Sequence, residues 1–173
     1  ETLKTIKKVL AHPVHVVRSA VIGSFIGILP GAGSPIAALV SYNEAIRWSK
    51  DKSQYGKGDL RGVTASEIAN NAAAPASMIP LVTLGVPGSS PAAVIAGALM
   101  LRGLNPGPEL FQTNGTLVYS FGWSLMIAGF VTFILGSIFA PVLVRIIRIP
   151  LRLLAPLIML LAVIGAYAIR NNI

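Results

Sequence analysis

Apolar residues in this chain form four long uncharged runs, separated by short segments that carry most of the charge. The runs cover residues 19–43, 68–101, 110–144 and 153–169. A helix needs about 20 predominantly apolar residues to cross a bilayer, so the first three runs are long enough and the fourth is nearly so. The pattern predicts an all-α integral membrane protein, built as a polytopic helical bundle.

The first two apolar runs are each interrupted by a Pro-Gly motif. The first motif is "LPGAGSP" at residues 29–35, and the second is "VPGSSP" at residues 86–91. Non-helical backbone at membrane depth persists only where it is buried in protein or lines a wet cavity, because unpaired N–H and C=O groups are costly in hydrocarbon. We therefore expect discontinuous or re-entrant helices, broken at these two motifs.

Basic residues flank the first run on both sides, which by the positive-inside rule places both flanks in the cytoplasm. The run over residues 19–43 has 25 residues, whereas two crossings need about 40. This favours a re-entrant hairpin, while a full crossing with an unwound middle remains the alternative. Residues 68–101 are expected to make one net crossing.

These patterns divide the chain into six segments of one membrane domain. Because the chain starts at Glu1, it is expected to be part of a longer polypeptide. The predicted segments are an amphipathic interfacial helix at 1–13, a broken or re-entrant helical hairpin with the "LPGAGSP" tip at 14–46, a polar cytoplasmic loop at 47–63, a broken helix with "VPGSSP" at 64–102, a loop at 103–114 and two transmembrane helices at 115–170.

Composition agrees with a membrane protein and argues against an enzyme. The chain is 54% hydrophobic and 12% charged, and its mean hydropathy is +0.73. The net charge of +8 lies in membrane-flanking clusters, so no nucleic-acid partner is predicted. The absence of cysteine excludes disulfides and zinc–thiolate sites. The chain lacks a dinucleotide fingerprint, a Walker lysine, HExxH and GxSxG, so it is not expected to be an enzyme.

The helix that follows each break is expected to present free N–H groups and the positive end of its dipole to an anion. Ser34, and Ser89 or Ser90, suit the N-cap positions, and Pro35 and Pro91 suit the first turns. Carbonyl groups before the breaks are expected to coordinate Na⁺ or to respond to H⁺. The predicted substrate-binding residues at the breaks are Gly31, Ala32, Gly33, Ser34, Gly88, Ser89 and Ser90, and the predicted ion-coupling residues are Leu29, Pro30, Gly85 and Val86.

A second polar group consists of Glu67, Asn70 and Asn71, which share one helix face at i, i+3 and i+4. Polar side chains at such depth are costly, so a role in transport is expected. Asn70 and Asn71 are predicted to hydrogen-bond the substrate, and Glu67 to take part in ion coupling. The alternative for Glu67 is an interfacial capping box with Thr64. Thr83, just before the second break, is a further ion-coupling candidate.

Several features have simpler interpretations. Gly23 and Gly27 form a GxxxG pair that is expected to pack against another helix. Glu44 and Arg47 are expected to form a surface ion pair, and Trp48 an interfacial anchor. His12 and His15 are expected to be interfacial residues.

The stretches at residues 27–50, "GILPGAGSPIAALVSYNEAIRWSK", and at residues 55–111, "YGKGDLRGVTASEIANNAAAPASMIPLVTLGVPGSSPAAVIAGALMLRGLNPGPELF", carry a family resemblance. The chain resembles part of the second half of the large membrane subunit of tripartite tricarboxylate transporters, the TctA family. Two departures are mild: "TASE" stands where members more often have Ala-Pro-Glu, and "YNEAIRWSK" where Glu-Lys usually follows the Tyr.

The resemblance implies a multi-pass subunit of a secondary active transporter in the bacterial inner membrane. Such a subunit moves tricarboxylates or related carboxylates, driven by Na⁺ or H⁺ and without a cofactor. The implied partners are a periplasmic solute-binding protein, a small membrane subunit, the remaining half of the transporter and the lipid bilayer. The alternative is a non-transporting membrane scaffold, in which the Gly and Pro motifs only pack helices.

Overall fold

The fold is taken from a computed structural model, which describes residues 2–147 and 150–170, and the regular secondary structure of these residues is all helical. Arg148, one of the basic residues between the last two apolar runs, lies outside the described residues. The helices in the described part are α1 Thr2–Leu10, α2 Pro13–Ile28, α3 Gly33–Trp48, α4 Leu60–Ala76, α5 Met78–Leu84, α6 Ser90–Leu101, α7 Pro108–Thr113, α8 Gly115–Ile147 and α9 Leu151–Arg170.

Helices α2, α3 and α4 pack together as a three-helix unit. Gly23 of α2 lies against Ala69 of α4, and Gly27 lies against Ala73, so α2 and α4 run parallel. α3 runs in the opposite direction, because Tyr42 near its C-terminal end lies against Gly62 in the first turns of α4. α2 and α3 therefore form a helical hairpin.

Small residues allow this close packing. A Cβ atom added to Gly27 would lie 2.5 Å from the Ala73 carbonyl oxygen, and one added to Gly23 would overlap the backbone of Ala69. Ala37 of α3 is buried against the same stretch of α4. The prediction that the GxxxG pair packs against another helix is confirmed.

The three-helix unit has two chemically different ends. One end holds the start of α2, the end of α3 and the start of α4, and we call it the basic end. The other end holds the turn between α2 and α3 and the end of α4, and we call it the broken end. The residues between α4 and α6 continue from the broken end.

The first Pro-Gly motif forms the turn between α2 and α3. Gly31 and Gly33 have φ values of 78° and 67°, in the left-handed region that favours glycine. α3 already begins at Gly33, so Ala32 occupies the N-cap position and Ser34 lies inside the first turn. The prediction of Ser34 as N-cap is therefore wrong. Pro35 lies in the first turn, as predicted.

α4 begins four residues earlier than Thr64, because the Asp59 carboxylate caps it by accepting the Arg61 backbone N–H at 2.8 Å. The Thr64 hydroxyl instead donates to the Leu60 carbonyl oxygen at 2.8 Å. The alternative of a capping box between Thr64 and Glu67 is therefore wrong.

The second apolar run contains two interruptions. α4 ends at Ala76, Ser77 separates it from the short helix α5, and the Pro-Gly motif then separates α5 from α6. Ser89 is the N-cap of α6, and Pro91 lies in its first turn, as predicted. The buried side chains of Met78, Leu81 and Ala92 join α5 to α6.

The chain divides into two compact units, residues 1–126 and 127–173. Within the described residues, one helix is long and apolar enough by itself to cross a membrane, over Gly115–Val144 of α8. α1 and α2 reach that length only together, and they are bent by 79° at the break between them. The apolar stretches Ser90–Leu101 and Arg152–Tyr167 are shorter.

Candidate functional site at the broken end

The second Pro-Gly break lies against the last turn of α2, just before the first break. A Cβ atom added to Gly88 in the second break would lie 3.0 Å from the Gly27 carbonyl oxygen and 3.0 Å from the Ser77 Cα atom. The Gly88 backbone N–H donates to the Ser77 carbonyl oxygen at 3.4 Å. Gly88 thus allows the second break to approach the last turn of α2 more closely than a side chain would permit.

Two serine hydroxyls fix the second break. Ser77 Oγ donates to the Ala74 carbonyl oxygen at 2.7 Å, and Ser77 Oγ and Ser89 Oγ are 2.9 Å apart. A hydroxyl has one hydrogen, so Ser89 must be the donor to Ser77. Ser89 Oγ also accepts the Ala92 backbone N–H at 3.3 Å, which caps α6. The hydrogens of both hydroxyls are therefore used inside the protein.

The N-terminus of α3 differs from that of α6. Among the described residues, no side chain caps it, and its N-cap residue is Ala32. Gly33 is buried, Ser34 is half-buried, and Gly31 is exposed at the turn. The first N–H groups of a helix have no partner inside the helix, so those of α3 are available to an acceptor from outside.

Main-chain carbonyl oxygens lie at or next to the two breaks. They are hydrogen-bond acceptors with partial negative charge, whereas the N–H groups of α3 are donors. Gly27 lies in the last turn of α2, where the helix provides no partner for its carbonyl. The Leu29 carbonyl accepts the Ala32 N–H at 3.2 Å. Gly85 ends α5 in the left-handed conformation, and the Val86 N–H donates back to the Pro80 carbonyl at 3.2 Å. Pro30 is exposed at the turn.

The polar residues predicted along α4 lie away from the breaks. Asn70 is half-buried and Asn71 exposed, and Asn71 Nδ2 donates to the Glu67 carbonyl at 2.8 Å. At 1.5 Å per residue, Asn70 lies about 10 Å along the helix axis from Ser77. Within the described chain, no hydrogen bond joins either amide to a break. The Thr83 hydroxyl donates to the Ile79 carbonyl at 2.7 Å, inside its own helix.

The sequence analysis missed two groups at the broken end. Ser77 is fully buried and connects the end of α4 to the second break, and the Gly27 carbonyl lies beside Gly88. Ser77 has a sequence signal, since it stands between Pro75 and Pro80, where a helix is expected to be interrupted. The position of the Gly27 carbonyl depends on tertiary packing and has no such signal.

The basic end is held together by side chains. Arg61 forms an ion pair with Asp59 at 2.6 Å, and this hydrogen-bonded contact lowers the pKa of the Asp59 carboxyl below its ordinary value. His15 Nε2 lies 2.9 Å from the Arg61 carbonyl oxygen, which ties α2 to α4. The predicted surface ion pair of Glu44 and Arg47 is present at 3.3 Å.

The comparison with known families is decisive for the class of the protein. The model of the family described as "Tripartite tricarboxylate transporter TctA family" matches residues 1–173, the whole chain. This chain belongs to the TctA family. The resemblance found in the sequence is therefore confirmed, and the chain is a member of a family of membrane transporters.

Two curated relatives of this TctA-family chain come from Agrobacterium vitis. An uncharacterized 52.8 kDa protein in the TAR-I ttuC' 3' region is 38% identical over 157 residues, which are 91% of this chain and 31% of the relative. An uncharacterized protein in the TAR-II ttuC' 3' region is 39% identical over 150 residues, 87% of this chain and 62% of the relative. The chain thus spans less than two thirds of either relative. No solved structure matches it.

Proposed function

We propose that this chain is part of a secondary active transporter subunit that moves tricarboxylates or related carboxylates across the bacterial inner membrane. The observation that carries the proposal is the contact of the second Pro-Gly break with the last turn of α2, directly before the first break, in a TctA-family chain. Broken helices that expose main-chain polar groups at one place are the usual construction of substrate and ion sites in secondary transporters.

The substrate carboxylate is proposed to bind at the N-terminus of α3. The N–H groups of Gly33 and Ser34 have no side-chain cap, so an anion replaces the missing acceptor, and Gly31 and Ala32 line the turn beside it. In the second break, Gly88 and Ser90 are proposed to contact the substrate from the other side. Ser89 belongs to this wall of the site, but its hydroxyl hydrogen is already donated to Ser77, so it acts through its backbone and its cap.

The coupling cation is proposed to bind main-chain carbonyls at the same end. The candidates are the carbonyls of Leu29 and Pro30 in the first break and of Gly85 and Val86 in the second, together with the Gly27 carbonyl next to Gly88. Na⁺ suits such neutral oxygen ligands, and H⁺ coupling would instead use Glu67. Thr83 adds a hydroxyl oxygen near the second break.

Asn70 and Asn71 are proposed to contact the substrate on its way between the broken end and the basic end. Both lie on α4 between those ends, on the same face as Glu67. A rocking or elevator-like movement of the whole unit against the rest of the transporter would carry the site and both asparagines together and alternate access to them. The proposed partners are a periplasmic solute-binding protein, a small membrane subunit and the remaining half of the transporter.

The test is uptake of labelled citrate and related carboxylates into proteoliposomes that hold the complete set of subunits. Uptake is expected only with the binding protein and with either a Na⁺ or a proton gradient. Asn71→Ala is expected to lower uptake several-fold, whereas the control Asn43→Ala, an exposed amide near the basic end, leaves it unchanged. No uptake under any gradient would overturn the proposal and favour the scaffold alternative.

A further inference from the structure

A second site lies at the basic end, about as far from the breaks as the three-helix unit allows. It is a cavity of about 550 Å³ between the α1–α2 corner, the end of α3, the following loop and the first turn of α4. Its walls include Arg18, Lys50, Arg61, Trp48 and Tyr55. None of these residues was predicted to contact the carboxylate.

The charge in this cavity is positive and only partly compensated. Asp59 forms an ion pair with Arg61, but among the described residues no acidic side chain forms an ion pair with Arg18 or Lys50. His12, at the corner between α1 and α2, also lines the cavity. A concave surface with excess positive charge attracts anions, and it does so most strongly where apolar walls reduce the screening.

Arg18 is held in position rather than free in solvent. The Arg61 carbonyl can only accept a hydrogen bond, so His15 Nε2 must be the donor to it. His15 Nδ1 then carries no hydrogen and accepts from Arg18 Nη2 at 3.4 Å. The Arg18 guanidinium also lies 5.6 Å from the centre of the Trp48 ring. Arg61 lies in the same way 5.4 Å from the Tyr55 ring. The Arg61 guanidinium already binds Asp59 through Nε and Nη2 and Ser49 through Nη1. The Arg18 guanidinium is preoriented and has no acidic ion-pair partner among the described residues, and a guanidinium matches phosphate oxygens well.

The helices around the cavity indicate its depth in the membrane. α1 is amphipathic and turns by 79° from the axis of α2, as expected of a helix that lies in the interface while α2 runs into the bilayer. Lys7 and Lys8 in the last turn of α1 are exposed. Trp48 is 68% exposed at the end of α3, a position that suits an interfacial anchor. We therefore expect the cavity to lie at the level of lipid headgroups.

We infer that this cavity binds the phosphate of an anionic phospholipid headgroup. Arg18 and Lys50 would contact the phosphate beside the Arg61–Asp59 ion pair, and the apolar walls next to Trp48 and Val14 would contact the glycerol and the first acyl carbons. Basic pockets between helices at the cytoplasmic face are typical sites of such recognition. The lipid would join α1, α3 and α4 at the end opposite the breaks.

The experiment is native mass spectrometry of the intact protein, purified from nanodiscs with equal amounts of phosphatidylglycerol and phosphatidylcholine. We expect preferential retention of phosphatidylglycerol. Arg18→Gln should reduce this preference about fivefold, the effect of removing one cation near an anionic surface. The matched control is Arg47→Gln, which removes an equal charge from a 75% exposed side chain outside the cavity, and it should leave the preference unchanged.

A second variant and a soluble ligand complete the test. If Arg18→Gln does not fold, the lipid preference is measured for Lys50→Gln instead. Lys50 is exposed at the rim of the cavity, so this substitution is not expected to affect folding. Glycerol 1-phosphate at millimolar concentration is expected not to displace the lipid. Equal retention of the two lipids, an equal loss in Arg47→Gln, or displacement by glycerol phosphate would overturn the proposal.

Discussion

The two ends of the three-helix unit satisfy their polar groups in opposite ways. At the basic end, side chains bind main-chain groups and one another, as in the contact of His15 with the Arg61 carbonyl and the ion pair of Arg61 with Asp59. At the broken end, two serine hydroxyls fix the second break, while the N-terminus of α3 has no side-chain cap. The difference leaves N–H groups at the start of α3 without a side-chain acceptor, as the proposed substrate site requires.

The largest effect on stability is expected from Gly23→Val, which disrupts the packing of α2 against α4. This packing holds together the three-helix unit that separates the two ends. Its side chain would overlap the Ala69 backbone, so we expect a loss of stability of about 3 kcal/mol or failure to fold. The matched control is Gly97→Val in α6, where an added Cβ meets nothing within 4 Å. Size-exclusion profiles and thermal unfolding in detergent compare them. Equal behaviour of the two variants would contradict the packing described.

Ser89→Ala tests the broken end. It removes the cap of α6 and the donor to Ser77, and we expect a loss of about 1 kcal/mol in the free energy of unfolding. Ser90→Ala, its exposed neighbour, should change stability by less than about 0.5 kcal/mol. Thermal unfolding measures both. If Ser90→Ala were the more destabilising variant, the assignment of the cap to Ser89 would be wrong.

Asp59→Asn tests the basic end, and its expected effect on stability is smaller. Asn preserves a cap acceptor but loses the ion pair with Arg61, so we expect a loss of about 0.5 kcal/mol at neutral pH. Folding lowers the pKa of the Asp59 carboxyl. The ionised carboxylate therefore contributes fully to the free energy of unfolding above the unfolded pKa, near pH 4, and this contribution is lost as the pH falls through the folded pKa.

The difference in stability between wild type and Asp59→Asn should therefore shrink on acidification. Unfolding curves at pH 7 and at about pH 3 measure it. A difference that grows at low pH would show that the ion pair is not its source.

Glu44→Gln is expected to have the smallest effect. The Glu44–Arg47 pair is exposed on the Arg side, and surface pairs contribute little. Gln can still accept the Trp48 Nε1 hydrogen bond, which is 2.9 Å long. We expect no measurable shift of the thermal unfolding midpoint and unchanged uptake. A clear loss of uptake would indicate that this pair takes part in gating.

The sequence was sufficient for features that depend on local chemistry. The Pro-Gly motifs, a serine cap at Ser89 or Ser90 and the packing of Gly23 follow from residue type and spacing. The structure contains all three and assigns the cap to Ser89. The start of α3 was not predictable in the same way. Gly33 adopts a left-handed φ and begins the helix early, so the cap falls on Ala32, which has no capping side chain.

Tertiary contacts account for what the sequence could not supply. The approach of Gly88 to the Gly27 carbonyl joins residues 61 positions apart, and no local pattern marks it. The cavity at the basic end likewise combines residues of four segments. Whether Asn70 and Asn71 contact a substrate stays a prediction, because Asn70 lies about 10 Å along α4 from Ser77 at the broken end.

Carboxylate protection of a single introduced cysteine tests the central claim most directly, because the chain has no native cysteine. Ser34→Cys places a thiol in the first turn of α3, and Lys50→Cys places one at the basic end. The rate of maleimide alkylation is measured with citrate, with related carboxylates and with a neutral polyol. We expect a carboxylate to slow alkylation several-fold at Ser34→Cys and to leave Lys50→Cys unchanged. Protection at Lys50→Cys alone, or at neither position with every carboxylate, would contradict a substrate site at the broken end.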